Sequence, residues 1–172
     1  MKVEFSPERR ARFDALVAKY ERKQSALLPT LYLAQEQWGY LTPEAMDYVG
    51  ELLEIPPAHV YDAASFYLLF RKKDMGQWFL QVCNNVTCTM LGSEALLAVI
   101  QEELGIGNDG SLSADGKFSC IAVQCLGSCD TAPVVQVNEE YVEKLTPDRL
   151  RALVRRLREG GTLDAFSREA DL

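Results

Sequence analysis

The sequence predicts an α+β chain in two parts: a helical N-terminal part over residues 1–75, built as a four-helix bundle, and a small α/β domain over 76–172. Three observations predict it. Apolar residues recur at helical spacing through the first part. In the second, short apolar runs of strand character alternate with helical stripes. Between them lies the polar segment Arg71-Lys72-Lys73-Asp74-Met75-Gly76, and all five cysteines follow it. Charge divides at the same place: residues 1–75 carry 10 basic and 11 acidic side chains, net −1, and residues 76–172 carry 8 and 14, net −6.

The first helix opens at Ser6-Pro7, a capping hydroxyl followed by a proline whose missing N–H costs nothing at that position. Phe13, Leu16, Val17 and Tyr20 then form one stripe. A second helix spans Ser25 to Trp38, with Gly39 as its C-terminal cap. Thr42-Pro43 opens a third, striped by Met46, Val49, Leu52 and Leu53 and stopped by Pro56-Pro57. A fourth, rich in aromatics, runs from Ala58 to Phe70, and connections this short suit a bundle. In the second part Trp78–Cys83 reads as a buried strand and Ser93–Leu104 as a helix ended by Gly105. Phe118–Gln124 and Val134–Val137 read as strands, Glu140–Glu143 as a short pairing strand, and Thr146-Pro147-Asp148 caps a last helix to Arg158. The order is β-α-β-β-β-α. The polar tail from about residue 160 is expected to be loose.

Composition narrows the function. At 48% hydrophobic and 25% charged residues the chain is a packed protein. A net charge of −7 opposes nucleic acid and anionic membranes as main partners. Nothing approaches the roughly 18–20 apolar residues of a membrane span. Met1–Glu8 has no secretory h-region, so a cytoplasmic setting is expected, where clustered thiols stay reduced and serve metal or redox chemistry rather than bridges.

Four of the cysteines form two pairs, Cys83-x4-Cys88 and Cys125-x3-Cys129. Each pair follows the end of an expected strand, so two adjacent strands would carry both loops to one sheet edge. Structural zinc accepts four thiolates but favours tight knuckles of Cys-x2-Cys form. Disulfides or a thiol redox pair need an oxidising compartment or Cys-x-x-Cys. An all-cysteine [2Fe–2S] cluster needs two thiolates per iron in loops of small residues, which Asn84, Thr87, Gly127 and Ser128 supply, and this reading fits best. No Lys or Arg occurs over residues 81–93 or 118–138, so a reduced cluster there has no nearby cation and a low potential is expected. Cys120 lies inside a strand and reads as a small buried hydrophobe.

These residues resemble a known family. Gln81-Val82-Cys83-x4-Cys88-x3-Gly92, Leu104-Gly105-Ile106, Asp115-Gly116-Lys117-Phe118 and Cys125-Leu126-Gly127-Ser128-Cys129-x-x-Ala132-Pro133-x4-Asn138 resemble the thioredoxin-like [2Fe–2S] subunit of NADH:quinone oxidoreductase, respiratory complex I. Trp38-Gly39-Tyr40-Leu41, Val60 and Ser65-Phe66-Tyr67 match that family's helical portion, so the likeness covers about residues 10–158. Asp62 departs from the family's usual Gly, and the C-terminal tail is short beside mitochondrial relatives. The resemblance implies a thioredoxin-like ferredoxin domain holding one cluster on Cys83, Cys88, Cys125 and Cys129. It implies an NADH- and FMN-binding flavoprotein as partner, with FMN and NADH on that partner only, and a place on the cytoplasmic side of the inner membrane through the complex, without insertion. It also implies no turnover by the isolated chain, which has no Gly-x-Gly-x-x-Gly fingerprint.

Similar subunits serve NAD-reducing hydrogenases and NAD-dependent formate dehydrogenases. From another class, Leu53–Val60 links two helices as a DNA-binding helix-turn-helix does. The would-be recognition helix carries Asp62 and no Lys or Arg, so it lacks the electrostatic footprint. A free-standing electron-carrier ferredoxin would leave the helical part without a role. His59 reads as a surface residue, and Trp38, Phe66, Tyr67 and Phe70 as core. The arginines at 149, 151, 155, 156 and 158 read as a solvated face with favourable charge at a helix C-terminus.

Overall fold

The structure, a computed structural model, describes residues 3–164 and 166. It divides into two units, Met1–Asp74 and Met75–Leu172. No helix among the described residues is long and apolar enough to cross a membrane.

In the first unit, helix α1 (Pro7–Val17) is capped by Ser6, whose side chain accepts the Arg9 N–H at 3.2 Å. It ends before Tyr20, which is exposed, so only Phe13, Leu16 and Val17 of the expected stripe turn inward. A 3-10 turn (Lys23–Ala26) replaces the first turn expected of the second helix, and α2 runs Leu27–Trp38 to Gly39. Thr42 caps α3 (Pro43–Leu53) through the Ala45 N–H. Pro57 does more than stop α3: it is the first residue of α4 (Pro57–Phe66). The four helices enclose one core of Leu31, Ala34, Met46, Val49, Leu53, Val60 and Phe70, joined by Phe5, which stacks on Trp38 at 5.4 Å.

Helix α4 is shorter than expected, because Tyr67 turns extended and only Phe70 folds back into the core. Phe66 is 79% exposed and Tyr67 is on the surface as well, which corrects the expectation that both are core. Asp62 and His59 lie on the exposed side of this helix.

The second unit is a five-stranded sheet in the order β2-β3-β1-β4-β5. Its strands are β1 (Trp78–Cys83), β2 (Asp109–Leu112), β3 (Phe118–Val123), β4 (Val135–Val137) and β5 (Glu140–Val142). The central pair β1 and β3 is parallel, with Cys83 opposite Val123, and all other pairs are antiparallel. The crossover between them holds two helices, α5 (Val86–Met90) and α6 (Ser93–Leu104), the latter closed by Gly105. Two elements have no clear signal in the sequence: β2, which is short and contains Gly110 and Ser111, and α5, a five-residue helix capped by Asn85.

Strand alternation sorts the two faces. Leu80, Val82, Phe118, Cys120, Val135 and Val137 meet α6 and the last helix, α7 (Pro147–Arg158), in one core. That core also takes in Leu163, so the tail past residue 160 begins tucked in rather than loose; residues 165 and 167–172 lie outside the described part. The arginines of α7 are not all a solvated row. Arg151 pairs with Glu102 at 2.7 Å, Arg155 with Glu103 at 2.7 Å, and Arg158 approaches Asp115 at 3.9 Å.

Candidate metal centre

Because β1 and β3 run side by side in one direction, their C-terminal ends meet at the same edge. Cys83 is the last residue of β1, and the next residue, Asn84, donates its N–H to Val123 O at 3.0 Å. The chain then turns into α5. The Asn85 side chain accepts the Val86 N–H at 2.9 Å and donates to Gln124 Oε1 at 3.3 Å, which ties the two cysteine loops together. Cys88 follows within α5. From the neighbouring strand, the loop Cys125-Leu126-Gly127-Ser128-Cys129 folds back so that its two sulfurs lie 3.5 Å apart. Gly127 has φ 85°, a left-handed conformation that side chains disfavour, and from it the Gly127 N–H donates to Cys125 Sγ at 3.4 Å.

The two pairs sit in different surroundings. Cys83 and Cys88 are buried against Val134, with Leu126, Ala132 and Tyr141 packed around them. Cys125 and Cys129 are exposed. Burial pushes the Cys88 thiol up to about 11, against a lowering hydrogen bond from the Val134 backbone. The Gly127 N–H draws Cys125 down. Cys129 is raised by the neighbouring Cys125 sulfur, and a hydrogen bond from the Thr87 side chain works against that. Cys83 acts on both Cys88 and Cys129, so the structure brings all four predicted residues into one neighbourhood. Cys120 is apart from them, fully buried in the sheet core.

No three His, Cys, Asp or Glu side chains among the described residues converge as a single-ion site requires. The sulfurs lie as two pairs, the distribution in which two irons are held. The surroundings fit such a group: four thiols, small residues in the loops, and backbone N–H donors already aimed at sulfur. Thr87, expected among the small loop residues, lies in α5 and hydrogen-bonds Cys129. Two contributors are not legible in the sequence. Tyr141 donates its hydroxyl to Leu126 O at 2.7 Å, and Glu143 meets Ser128 and Thr131. Both looked like ordinary residues of a hairpin strand.

Fold and site together define an iron–sulfur protein of the ferredoxin kind on a thioredoxin-like sheet. The chain belongs to the thioredoxin-like [2Fe-2S] ferredoxin family, whose sequence profile it matches over residues 13–158, and it carries one [2Fe–2S] cluster. It is 42% identical over 148 residues to a subunit of the NADH-quinone oxidoreductase of Rickettsia bellii, covering 84% of this chain and 88% of that one. It is likewise 42% identical over 150 residues to NADH-quinone oxidoreductase subunit 2 of Thermus thermophilus, covering 86% and 82%. Among solved structures it resembles an NAD+-reducing [NiFe]-hydrogenase in the H2-reduced state. There the TM-score is 0.71 at 22% identity, over 84% of this chain and 24% of that one, a likeness of fold.

Proposed function

We propose that Cys83, Cys88, Cys125 and Cys129 hold the [2Fe–2S] cluster. We further propose that the chain is the electron-transfer subunit of the NADH-oxidising part of complex I, beside the FMN of a flavoprotein partner. The observation that carries this is the parallel register of β1 and β3, which delivers both cysteine pairs to one edge. A bound [2Fe–2S] cluster supplies a site that takes up and returns one electron. The residues around it decide how that site is reached. Cys83 and Cys88, with Val134 and Leu126, keep water from one side. Cys125 and Cys129 leave the other side open. Next to that opening α5 and its end present Val86, Met90 and Leu91, which are 66%, 82% and 56% exposed. Apolar side chains of this size gain by being covered, and their place beside the exposed thiols fits a partner that must bring a flavin close.

Relatives named as NADH-quinone oxidoreductase subunits, aligned over most of their length, support complex I as the setting. In that setting the partner holds NADH and FMN, and the helical N-terminal bundle adds docking surface. The assembly places the chain on the cytoplasmic side of the inner membrane.

The test is reconstitution. The purified chain should contain iron and acid-labile sulfide in equal amounts, two of each, without stoichiometric zinc. Replacing any of the four cysteines by Ala should abolish or destabilise the cluster. Its midpoint should lie well below zero, toward roughly −400 mV, since residues 81–93 and 118–138 contain no Lys or Arg. Alone it should not oxidise NADH. With the flavoprotein, the pair should pass electrons from NADH to artificial acceptors. NADH turnover by the isolated chain would defeat the partner reading, and a colourless zinc protein would defeat the ligand assignment.

A further inference from the structure

Beside the candidate metal centre the second unit buries a carboxylate. Glu143 follows β5 and is 6% exposed. Its Oε1 accepts from the Thr131 hydroxyl at 2.7 Å and from the Ser128 hydroxyl, and those two hydroxyls are themselves 2.7 Å apart. Ser128 immediately precedes Cys129 and Thr131 lies just beyond it, so Glu143 grips the chain on both sides of one cysteine. The rest of the segment works in the same direction. The Tyr141 hydroxyl holds Leu126 O, Lys144 N–H donates to Thr131 O at 2.8 Å, and Leu145 N–H donates to Pro133 O at 3.1 Å. A loop whose two thiols are exposed is thereby fastened along its length from behind.

Burying a carboxylate is costly unless hydrogen bonds compensate it, and here two hydroxyls reach the same Glu143 oxygen. A neutral amide would accept the same two hydroxyl protons. What the carboxylate adds is a negative charge one residue from Cys129. We propose that Glu143 is a positioning residue of the cluster. It fixes the Cys129 side of the ligand loop through Ser128 and Thr131, and its charge opposes electron uptake there. The inference rests on the ligand assignment made above. Reduction adds one negative charge, and repulsion between like charges grows as the local dielectric falls. Glu143→Gln keeps an acceptor and removes one negative charge. Loss of an ionised carboxylate at this place makes the cluster easier to reduce.

The experiment uses the full-length, cluster-bearing protein, with iron and sulfide analysis and a redox titration followed by EPR. Glu143→Gln is expected to keep both irons. At fixed potential it should raise the reduced-to-oxidised ratio at least tenfold, a positive shift of about 59 mV for one electron. Glu139→Gln, which removes an exposed charge from the neighbouring hairpin turn, is expected to leave the midpoint unchanged. Thr131→Val removes a donor and keeps the charge. It should leave the midpoint near that of the wild type while iron is lost to a chelator several-fold faster. A Glu143→Gln midpoint equal to the wild type overturns the proposal, as does an equal shift from Glu139→Gln. If Glu143→Gln fails to load, faster iron loss from Thr131→Val supports the positioning role, and an unchanged rate overturns it. A wild-type protein without iron would instead fail the ligand assignment, so the two failures are told apart.

Discussion

Cys120 and Cys125 stand close in sequence and in opposite environments. Strand alternation predicts the split, and the structure buries Cys120 fully in the sheet core while Cys125 is exposed at the edge. Burial, with the Asp109 charge adding to it, pushes the Cys120 thiol up to about 12. The neutral thiol is therefore the form the folded state keeps. Below its ordinary value of 9.0 the thiol is neutral folded and unfolded alike, and no stability is lost. Above that value the unfolded chain ionises and the folded one does not, so stability falls as pH rises toward 12. Cys120→Ala removes this dependence. The stability advantage of the wild type over the Ala variant should shrink by about 1.4 kcal/mol per pH unit above 9. Urea melts of both proteins from pH 8 to 10.5 measure it, and a constant gap would refute the assignment. Both proteins should keep the same visible spectrum, since Cys120 is buried in the sheet core and lies outside the proposed ligand set.

At the scale of elements, the pairing of α6 with α7 combines an apolar seam with a row of ion pairs. Leu150, Leu153, Val154 and Leu157 are buried against Leu96, Val99 and Ile100. Leu153→Ala should cost about 2–5 kcal/mol in a denaturant melt, through lost burial and the cavity left behind. The ion pairs at the rim join exposed or half-exposed arginines to carboxylates of which Glu103 is largely covered, and they contribute less than the apolar seam. Their signature is in pH. The Arg155 side chain, first among several causes, holds the Glu103 carboxyl below its ordinary value. Such a group adds stability above the ordinary carboxylate range and loses it as pH falls through the folded value. Between pH 5 and pH 3 the wild type should therefore lose more stability than Arg155→Ala. Equal acid dependence of the two would show that the pair is idle in solution.

For the whole molecule, the two cores share no residue. One is built from Phe5 to Phe70 and the other from Leu80 to Leu163. Each unit has its own buried apolar set, so the fragment 75–172 is expected to fold alone, load iron and sulfide, and melt cooperatively. Under the function proposed here it should also pair more weakly with the flavoprotein than the full chain does. Sedimentation or pull-down with that partner measures the difference. If the fragment pairs as tightly as the full chain, the helical unit is not the docking element.

Much of this architecture is written locally. Ser6, Thr42 and Thr146 each precede a proline and each caps the helix it was expected to cap, because that chemistry needs only neighbouring residues. The cysteine spacing, read with Gly127 and the cation-free loops, likewise announces an iron–sulfur site. Other features depend on partners distant in sequence. Strand β2 has too little side chain to signal itself and exists because β3 offers an edge. Phe66 and Phe70 have like chemistry, and only the end of α4 sends one outward and the other into the core. Glu143 reads only as the end of a short pairing strand, and the pairing of β5 with β4 brings it to Ser128 and Thr131. The sequence by itself determined the caps, most of the elements and the two closely spaced cysteine pairs, since each rests on near neighbours. Strand order, the buried and exposed halves of the centre, and the hydroxyls and carboxylate that brace it were decided by tertiary structure, because only packing brings such groups within hydrogen-bond reach.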